Sequence, residues 1–404
     1  MNAADLYTHF LRDLAQTSDE PMGLVVESAH GSTVVASGKE YIDLLAGIGV
    51  AALGHGNPRV LQAIRDQAEQ YLHVMVFGEF VIPPQVELAT RLTAVLPDRL
   101  DSVYFTNSGT EAVEGALKLA RKATGRARIL SFNGSFHGDT LGALSVGGNP
   151  VYREPFQPLL PEVAFLDFND FAALDAIDSD VAAVIVEPVQ AEAGVVLPAP
   201  GFLPALRERC TATGTQLIFD EVVTGMGRTG RLFAFEHDGA APDILVLAKA
   251  FGGGMPLGAF VASRELMHHL SHDPPLGHVT TFGGHPVCAA AGLASLNEIL
   301  ESDLPARAAR VGAEFADKLR ERLDPGAVRE IRQIGLLLGV ELSDAKTTER
   351  FTKACRREGL IVGWTLHNDR VMRLAPPLVI TEAELDEASF RMERALARTL
   401  GLGL

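Results

Sequence analysis

The chain has 404 residues, 47% of them hydrophobic, and its 35 basic against 51 acidic side chains leave a net charge of −16. That length exceeds what a single core fills, so two domains are expected, and the composition excludes a fibrous or disordered chain. The acidic balance argues against nucleic acid and anionic membranes as partners.

Cys210, Cys288 and Cys355 are odd in number, far apart and without metal-ligand spacing. That pattern suits a reducing compartment and predicts no metal site. The first residues lack the basic and apolar regions of a signal peptide, and no long apolar stretch runs free of glycine and proline. A soluble, cytoplasmic protein is the expectation.

In chain order, residues 1–45 are expected to form an N-terminal segment packing with a smaller domain, 46–290 a large domain, and 291–404 the smaller one. The first β-like run of the large domain is Ser102–Thr106. Asn107-Ser-Gly-Thr-Glu111 follows and opens a helix over Glu111–Ala123, where Ala112, Ala116 and Ala120 recur every four residues beside Val113 and Leu117. Ser108 and Glu111 have the spacing of a capping box. Such a start turns N–H groups and the positive dipole end toward a possible phosphate, and Gly109 lets backbone approach the anion. Taken alone, the same residues also describe an ordinary capped helix.

After the run Arg128–Phe132 comes Ser135-Phe-His-Gly-Asp139. Phe136 can stack on a flat ligand with His137 close behind, or simply pack its loop. Runs at Val163–Leu166 and Val181–Val186 follow, and Glu187 and Glu192 stand just past the second, where a solvated loop is the alternative. A helix is expected over Leu203–Thr213. The run Gln216–Phe219 ends in Asp220, Ile244–Ala248 ends in Lys249, and Gly258–Ala262 closes the set. Continuous apolar strands alternating with helices predict a parallel sheet covered on both faces.

Ligands of such sheets sit at the carboxyl ends of the strands, where Asp220 and Lys249 both fall. A partly desolvated lysine loses proton affinity and becomes a usable nucleophile and proton carrier. With a carboxylate nearby, it suits the imine chemistry of pyridoxal phosphate (PLP). The glycine-rich turn Thr280-Thr-Phe-Gly-Gly-His-Pro286 offers hydroxyls to a phosphate. Beyond residue 290 a long helix, short strands near Gly335–Leu342 and Val371–Leu374, and a final helix from about Thr381 predict an α+β unit.

Together these segments resemble the class III (ω-type) aminotransferases, nearest to the putrescine, acetylornithine and ornithine aminotransferase-like members. The residues that carry the resemblance are LGHGNP (53–58), NSGTEAVEGALKLAR (107–121), FHGDT (136–140), VEPVQAEAG (186–194), IFDEVVTGMGRTGRLFAFEH (218–237), DILVLAKAFGGGMPLGA (243–259), TTFGGHP (280–286) and MRLAPPL (372–378). They stand in family order over nearly the whole chain. The resemblance implies an α/β fold, the PLP-dependent transferase fold type I (aspartate aminotransferase-like). Its large domain carries a mostly parallel sheet, with a smaller α+β domain beside it.

The resemblance also implies pyridoxal 5'-phosphate as cofactor, Lys249 as the Schiff-base lysine and Asp220 as partner of the pyridinium nitrogen. Ser108, Gly109 and Thr110 match the phosphate cradle. Phe136, followed by His137, matches the ring-stacking aromatic, Val222 the residue on the opposite face, and Glu187 a glutamate near the ring. Thr281 matches a threonine that reaches the phosphate of the neighbouring subunit, which implies a homodimer with shared active sites. Arg373 matches the arginine holding a substrate carboxylate, and Glu192 the glutamate that screens it.

Three positions depart from the pattern. Many members bond the cofactor's phenolic oxygen through a glutamine where this chain has Val223. The usual asparagine of GGNP is His285. Acetylornithine and ornithine aminotransferases place an arginine for a distal carboxylate where this chain has Asp139, so a donor with a distal amine or a neutral polar end is expected instead. The alternative is that Asp139 caps its own loop and faces away from substrate. The implied reaction moves an amino group from an amine or amino acid to a 2-oxo acid. An epimerase, racemase or aminomutase would share these motifs but need no 2-oxo acid acceptor. A non-catalytic homologue would lack PLP absorbance.

Overall fold

Seven short apolar runs pair edge to edge as one sheet in the computed structural model, which describes residues 1–402. In chain order the strands are β1 (Ser102–Thr106), β2 (Arg128–Phe132), β3 (Val163–Leu166), β4 (Val181–Val186), β5 (Gln216–Asp220), β6 (Ile244–Leu247) and β7 (Gly258–Ala262). They lie side by side as β1-β7-β6-β5-β4-β2-β3. β4 and β6 are buried at every position, as strands covered on both faces must be.

β7 differs from the expected direction: it runs antiparallel to both β1 and β6. The connection 248–257 is too short to carry a crossover helix, so the chain can only turn back. β1 therefore runs parallel to β6, and the carboxyl ends of β1, β2, β4, β5 and β6 share one edge with the start of β7.

Helix α1 (Gly109–Thr124) leaves the end of β1 and packs its small-residue face on this sheet. Ala112, Val113, Ala116, Leu117, Leu119 and Ala120 are all buried, and each leucine contributes about 1.5–3 kcal/mol by leaving water. Gly115 allows the close approach, since a Cβ there would lie 2.2 Å from the Phe260 ring. Gly125, at φ 67°, ends the helix in the left-handed conformation that glycine adopts without strain.

Val26–His30, Thr33–Ala36 and Lys39–Asp43 form antiparallel hairpins, and the last pairs in parallel with Leu360–Ile361. A third sheet joins Val328–Ile334, Leu337–Leu342, Val371–Leu374 and Gly363–Trp364. Helices Leu304–Arg322 and Ala345–Arg357 pack on it, and Glu382–Leu400 packs on both of those helices. The final helix starts at a full capping box between Thr381 and Glu384.

Three expectations need correction here. The long helix past residue 290 is two helices, Pro286–Glu301 and Leu304–Arg322, because Asp303 takes φ 44° between them and Pro305 opens the second. The strand expected from Gly335 begins at Leu337, since Gly335 takes φ 55° in the hairpin turn. Its partner Val328–Ile334 has no fully buried residue, so no apolar run announces it. No described helix is long and apolar enough to cross a membrane, and the last two residues of the 291–404 segment lie outside the described residues.

Candidate active site

A cavity of about 420 Å³ opens at the shared sheet edge, a size suited to a cofactor-sized ligand. Of the residues singled out by sequence, Ser108, Gly109, Thr110, Phe136, His137, Glu187, Glu192, Asp220, Val222, Val223 and Lys249 line it. Arg373 reaches it through Glu192. Asp139 stands exposed beside the wall, and Thr281 is exposed on the turn before Pro286.

Lys249 stands two residues past the end of β6 and takes φ 49°, an uncommon conformation for a residue with a side chain. Burial lowers its pKa, and the nearby Arg373 cation adds to that, while Glu192, Asp220 and Glu187 pull the other way. The result is an amine at a strand end, reachable from the cavity and poorer in proton affinity than a surface lysine.

Asp220 ends β5 and is 5% exposed. One oxygen accepts from the Val222 amide at 3.0 Å, and the other meets His137 Nδ1 at 2.8 Å. A carboxylate there places the imidazole proton on Nδ1, and His137 Nε2 is left buried without a partner. The next residue, Glu221, faces the opposite way. It accepts from the amides of Ala234 and Phe235 at 2.6 and 2.9 Å, and burial pushes its carboxyl up to about 7. Strand alternation thus divides two adjacent acids between the cavity and the core.

Glu187 is buried past the end of β4, accepting from the Phe136 amide at 3.1 Å and the Ala191 amide at 3.3 Å. Burial first, and the negative charge of Asp220 second, raise its pKa well above the ordinary carboxylate range. It anchors the loop that presents Phe136.

At the start of α1, Ser108 accepts from the Glu111 amide at 3.3 Å, as a capping residue should. The reciprocal half of the box is displaced by one residue: the Glu111 carboxylate accepts from the Asn107 amide at 2.7 Å. Thr110 Oγ1 is engaged with Thr140 Oγ1 at 2.7 Å, which in turn donates to Glu114 at 2.6 Å. The N–H groups of Gly109 and Thr110, in the first turn, have no intrahelical acceptor, and both residues line the cavity. A Cβ on Gly109 would lie 3.0 Å from a Val222 methyl, so glycine also lets the helix start close onto the cavity wall.

Arg373 leaves Val371–Leu374 and forms a buried ion pair with Glu192. Burial alone would raise the Glu192 pKa, but Arg373 and the Leu366 amide outweigh it and hold it low. Val223 presents only methyl groups. His285 gives no side-chain cap to Pro286–Glu301, and its ring stacks 5.4 Å from His73 instead. Sequence reading missed Tyr152, Leu366 and His367, which gather over Phe136 and Glu192. Leu366 takes part through its backbone, which no residue pattern reveals.

The arrangement fits a ligand with an anionic group, a flat ring and a carbonyl. Free amides at a helix start face the first, Phe136 and Val222 border the second, and Lys249 meets the third. The unpartnered His137 Nε2 and the buried Asp220 add polar groups to the floor of the cavity.

Comparison with known proteins agrees. The family model "Aminotransferase class-III" matches residues 14–396. An acetylornithine aminotransferase of Methanopyrus kandleri is 46% identical over 362 residues, 89% of this chain and 90% of the relative. The structure of an ornithine aminotransferase from Toxoplasma gondii, described with partial occupancy of PLP at its active site, superposes with a TM-score of 0.92 at 33% identity. The match covers 99% of this chain and 95% of that one. An (S)-enantioselective omega-transaminase from Thermomicrobium roseum gives 0.91 at 34% identity, covering 99% of each chain. The chain belongs to the class III aminotransferases, enzymes that use pyridoxal phosphate to move amino groups between amines or amino acids and 2-oxo acids.

Proposed function

We propose that Lys249 and Asp220 carry the amino transfer of this enzyme, and that its donor bears a distal amine or a neutral polar end. The observation behind the first part is the meeting of both side chains in one cavity, each from a strand end, with the lysine's pKa lowered. Bound pyridoxal phosphate supplies an aldehyde for the incoming amine and a ring that takes up the electrons of the broken C–H bond. Lys249 Nζ would hold the cofactor, and its amine, with lowered proton affinity, would move the proton at the substrate carbon. Asp220 would keep a proton on the ring nitrogen, and His137 holds that carboxylate in place. The contribution is electrostatic and grows as water is excluded.

The amides of Gly109 and Thr110, with the Ser108 hydroxyl, would hold the phosphate. The Thr110 hydroxyl is already engaged by Thr140, which leaves its amide as the contributing group. Phe136 and Val222 would border the ring, Val223 would offer it no hydrogen bond, and Glu187 fixes the loop that presents Phe136. Glu192 and Arg373 act as a switch: paired, they present a neutral wall to an amine, and separated, the arginine offers its fork to a carboxylate.

Thr281 serves the phosphate of a second copy, in a homodimer with shared sites. Its exposure, with 54%-exposed Phe282 beside it and Val279 half exposed, supports that reading. A cytoplasmic setting is in keeping with three free, buried cysteines. The proposal also keeps the division into residues 1–45, 46–290 and 291–404.

The donor reading rests on Asp139, an exposed carboxylate beside the cavity, which attracts an ammonium and repels a second carboxylate. The likeness to an acetylornithine aminotransferase favours an amino-acid donor, and Asp139 favours a diamine or lysine-like one. A panel of half-reactions decides: the PLP-loaded enzyme is mixed with diamines, ω-amino acids and α-amino acids, and conversion to the pyridoxamine form is followed. Faster conversion by N-acetylornithine than by every diamine or lysine-like donor refutes the donor assignment.

A further inference from the structure

Gly363 pairs with Arg373 and Trp364 with Met372, so residues 365–370 are the turn of the hairpin that carries Arg373. This hairpin grips Glu192 at two points. Arg373 binds one carboxylate oxygen, and the Leu366 amide donates to the other at 3.0 Å. A third bond runs from the His367 amide to the Glu192 carbonyl at 3.0 Å. The Glu192 side chain therefore cannot swing away from Arg373 without also giving up the Leu366 amide.

The turn is fastened independently of Glu192. His367 Nδ1 donates to the Gly134 carbonyl at 2.8 Å, two residues before Phe136. Tyr152 donates its hydroxyl to the Leu366 carbonyl at 3.0 Å, and its ring lies 5.3 Å from the His367 ring. The His367 ring also meets Phe136 edge-on at 6.0 Å. These contacts fix the Leu366 amide where it supports the closed pair.

We propose that this turn is a latch on the Glu192–Arg373 gate, with His367 and Tyr152 as positioning residues that set how readily a substrate carboxylate reaches Arg373. The inference rests on the switch reading above. A site open for only a fraction of the time binds its ligand more weakly by that fraction. Loosening the latch should raise the open fraction, so losing a contact tightens carboxylate binding, the reverse of what general structural damage does.

The test is calorimetric titration of the PLP-loaded enzyme with glutarate, a dicarboxylate with no amino group to transfer. His367→Ala should tighten binding about fivefold and Tyr152→Phe about twofold, in keeping with the loss of one hydrogen bond each. His367→Asn, which returns a donor near the Nδ1 position, should restore the wild-type value. Unchanged or weaker binding in His367→Ala overturns the latch, and Tyr152→Phe decides the matter should that variant fail to fold. Arg373→Ala separates the two readings. If it leaves glutarate binding untouched, the switch itself fails. If it weakens binding at least tenfold while the latch variants stay at wild type, only the latch fails.

Discussion

At the floor of the cavity Lys249 and Asp220 stand at the ends of buried strands, whereas around its mouth Asp139 and Leu366 stand on exposed turns. The floor is held by hydrogen bonds from within the large sheet's own loops, such as Val222 to Asp220 and Phe136 to Glu187. The mouth is tied across distant segments, Gly134 to His367 and Tyr152 to Leu366. Rigid strand ends suit a charge arrangement that must not reorganise during the reaction. Loops tied by single hydrogen bonds suit a surface whose preference can change without disturbing the chemistry. Substitutions in the floor should therefore stop every substrate alike, and those at the mouth should re-rank substrates.

The sharpest test of the floor is Lys249→Ala, which should abolish turnover with all donors while the fold persists, because both imine formation and proton transfer need the amine. Borohydride reduction of the wild type followed by peptide mapping should place the cofactor on Lys249, and a label on another lysine breaks the comparison at once. Asp220→Asn should lower the half-reaction rate by at least about a hundredfold, the scale of one preorganised electrostatic contact. Single-turnover rates checked with two dissimilar donors should fall together, and a near wild-type rate would remove Asp220 from the floor.

At the mouth, Asp139→Arg should move the ratio of kcat/KM for a putrescine-like over an N-acetylornithine-like donor by about tenfold toward the latter, as one reversed charge in a cleft can do. A ratio that stays put takes Asp139 out of substrate choice. The smallest effect concerns the acid that faces away. Glu221 titrates at about 7 in the folded chain instead of 4.5, so the folded state keeps its proton to higher pH. Its contribution to stability is thus present below 4.5 and is lost as pH rises to about 7. Glu221→Gln lacks that loss and should gain on the wild type by about 1 kcal/mol or more between pH 5 and pH 7. Urea unfolding of both proteins at the two pH values measures it, and parallel curves contradict the assignment.

The floor was legible because continuous apolar strands end abruptly in charged residues, and Asp220 and Lys249 can be placed from that pattern alone. The direction of β7 was not, since an antiparallel strand buried on both faces reads like a parallel one. Val328–Ile334 has no apolar signature because its residues are half-buried or exposed, and the break at Asp303 has none because an aspartate in a left-handed turn carries no strong signal. At the mouth the decisive groups are backbone amides of Leu366 and His367, and any residue but proline supplies an amide.

The pairing of Lys39–Asp43 with Leu360–Ile361 has a consequence for how the chain is made. Lys39 Nζ bonds the Arg357 carbonyl across 318 residues, and Ile42 faces Leu360 across a similar span. At translation speeds of about 5–20 residues per second, the first strands leave the ribosome roughly 15–60 s before their partner exists. The seven-stranded sheet has all its strands by residue 262 and can assemble in that interval. The early hairpins must wait with an unpaired edge until Leu360 emerges, which makes them the part of the nascent chain most open to pairing with a neighbour.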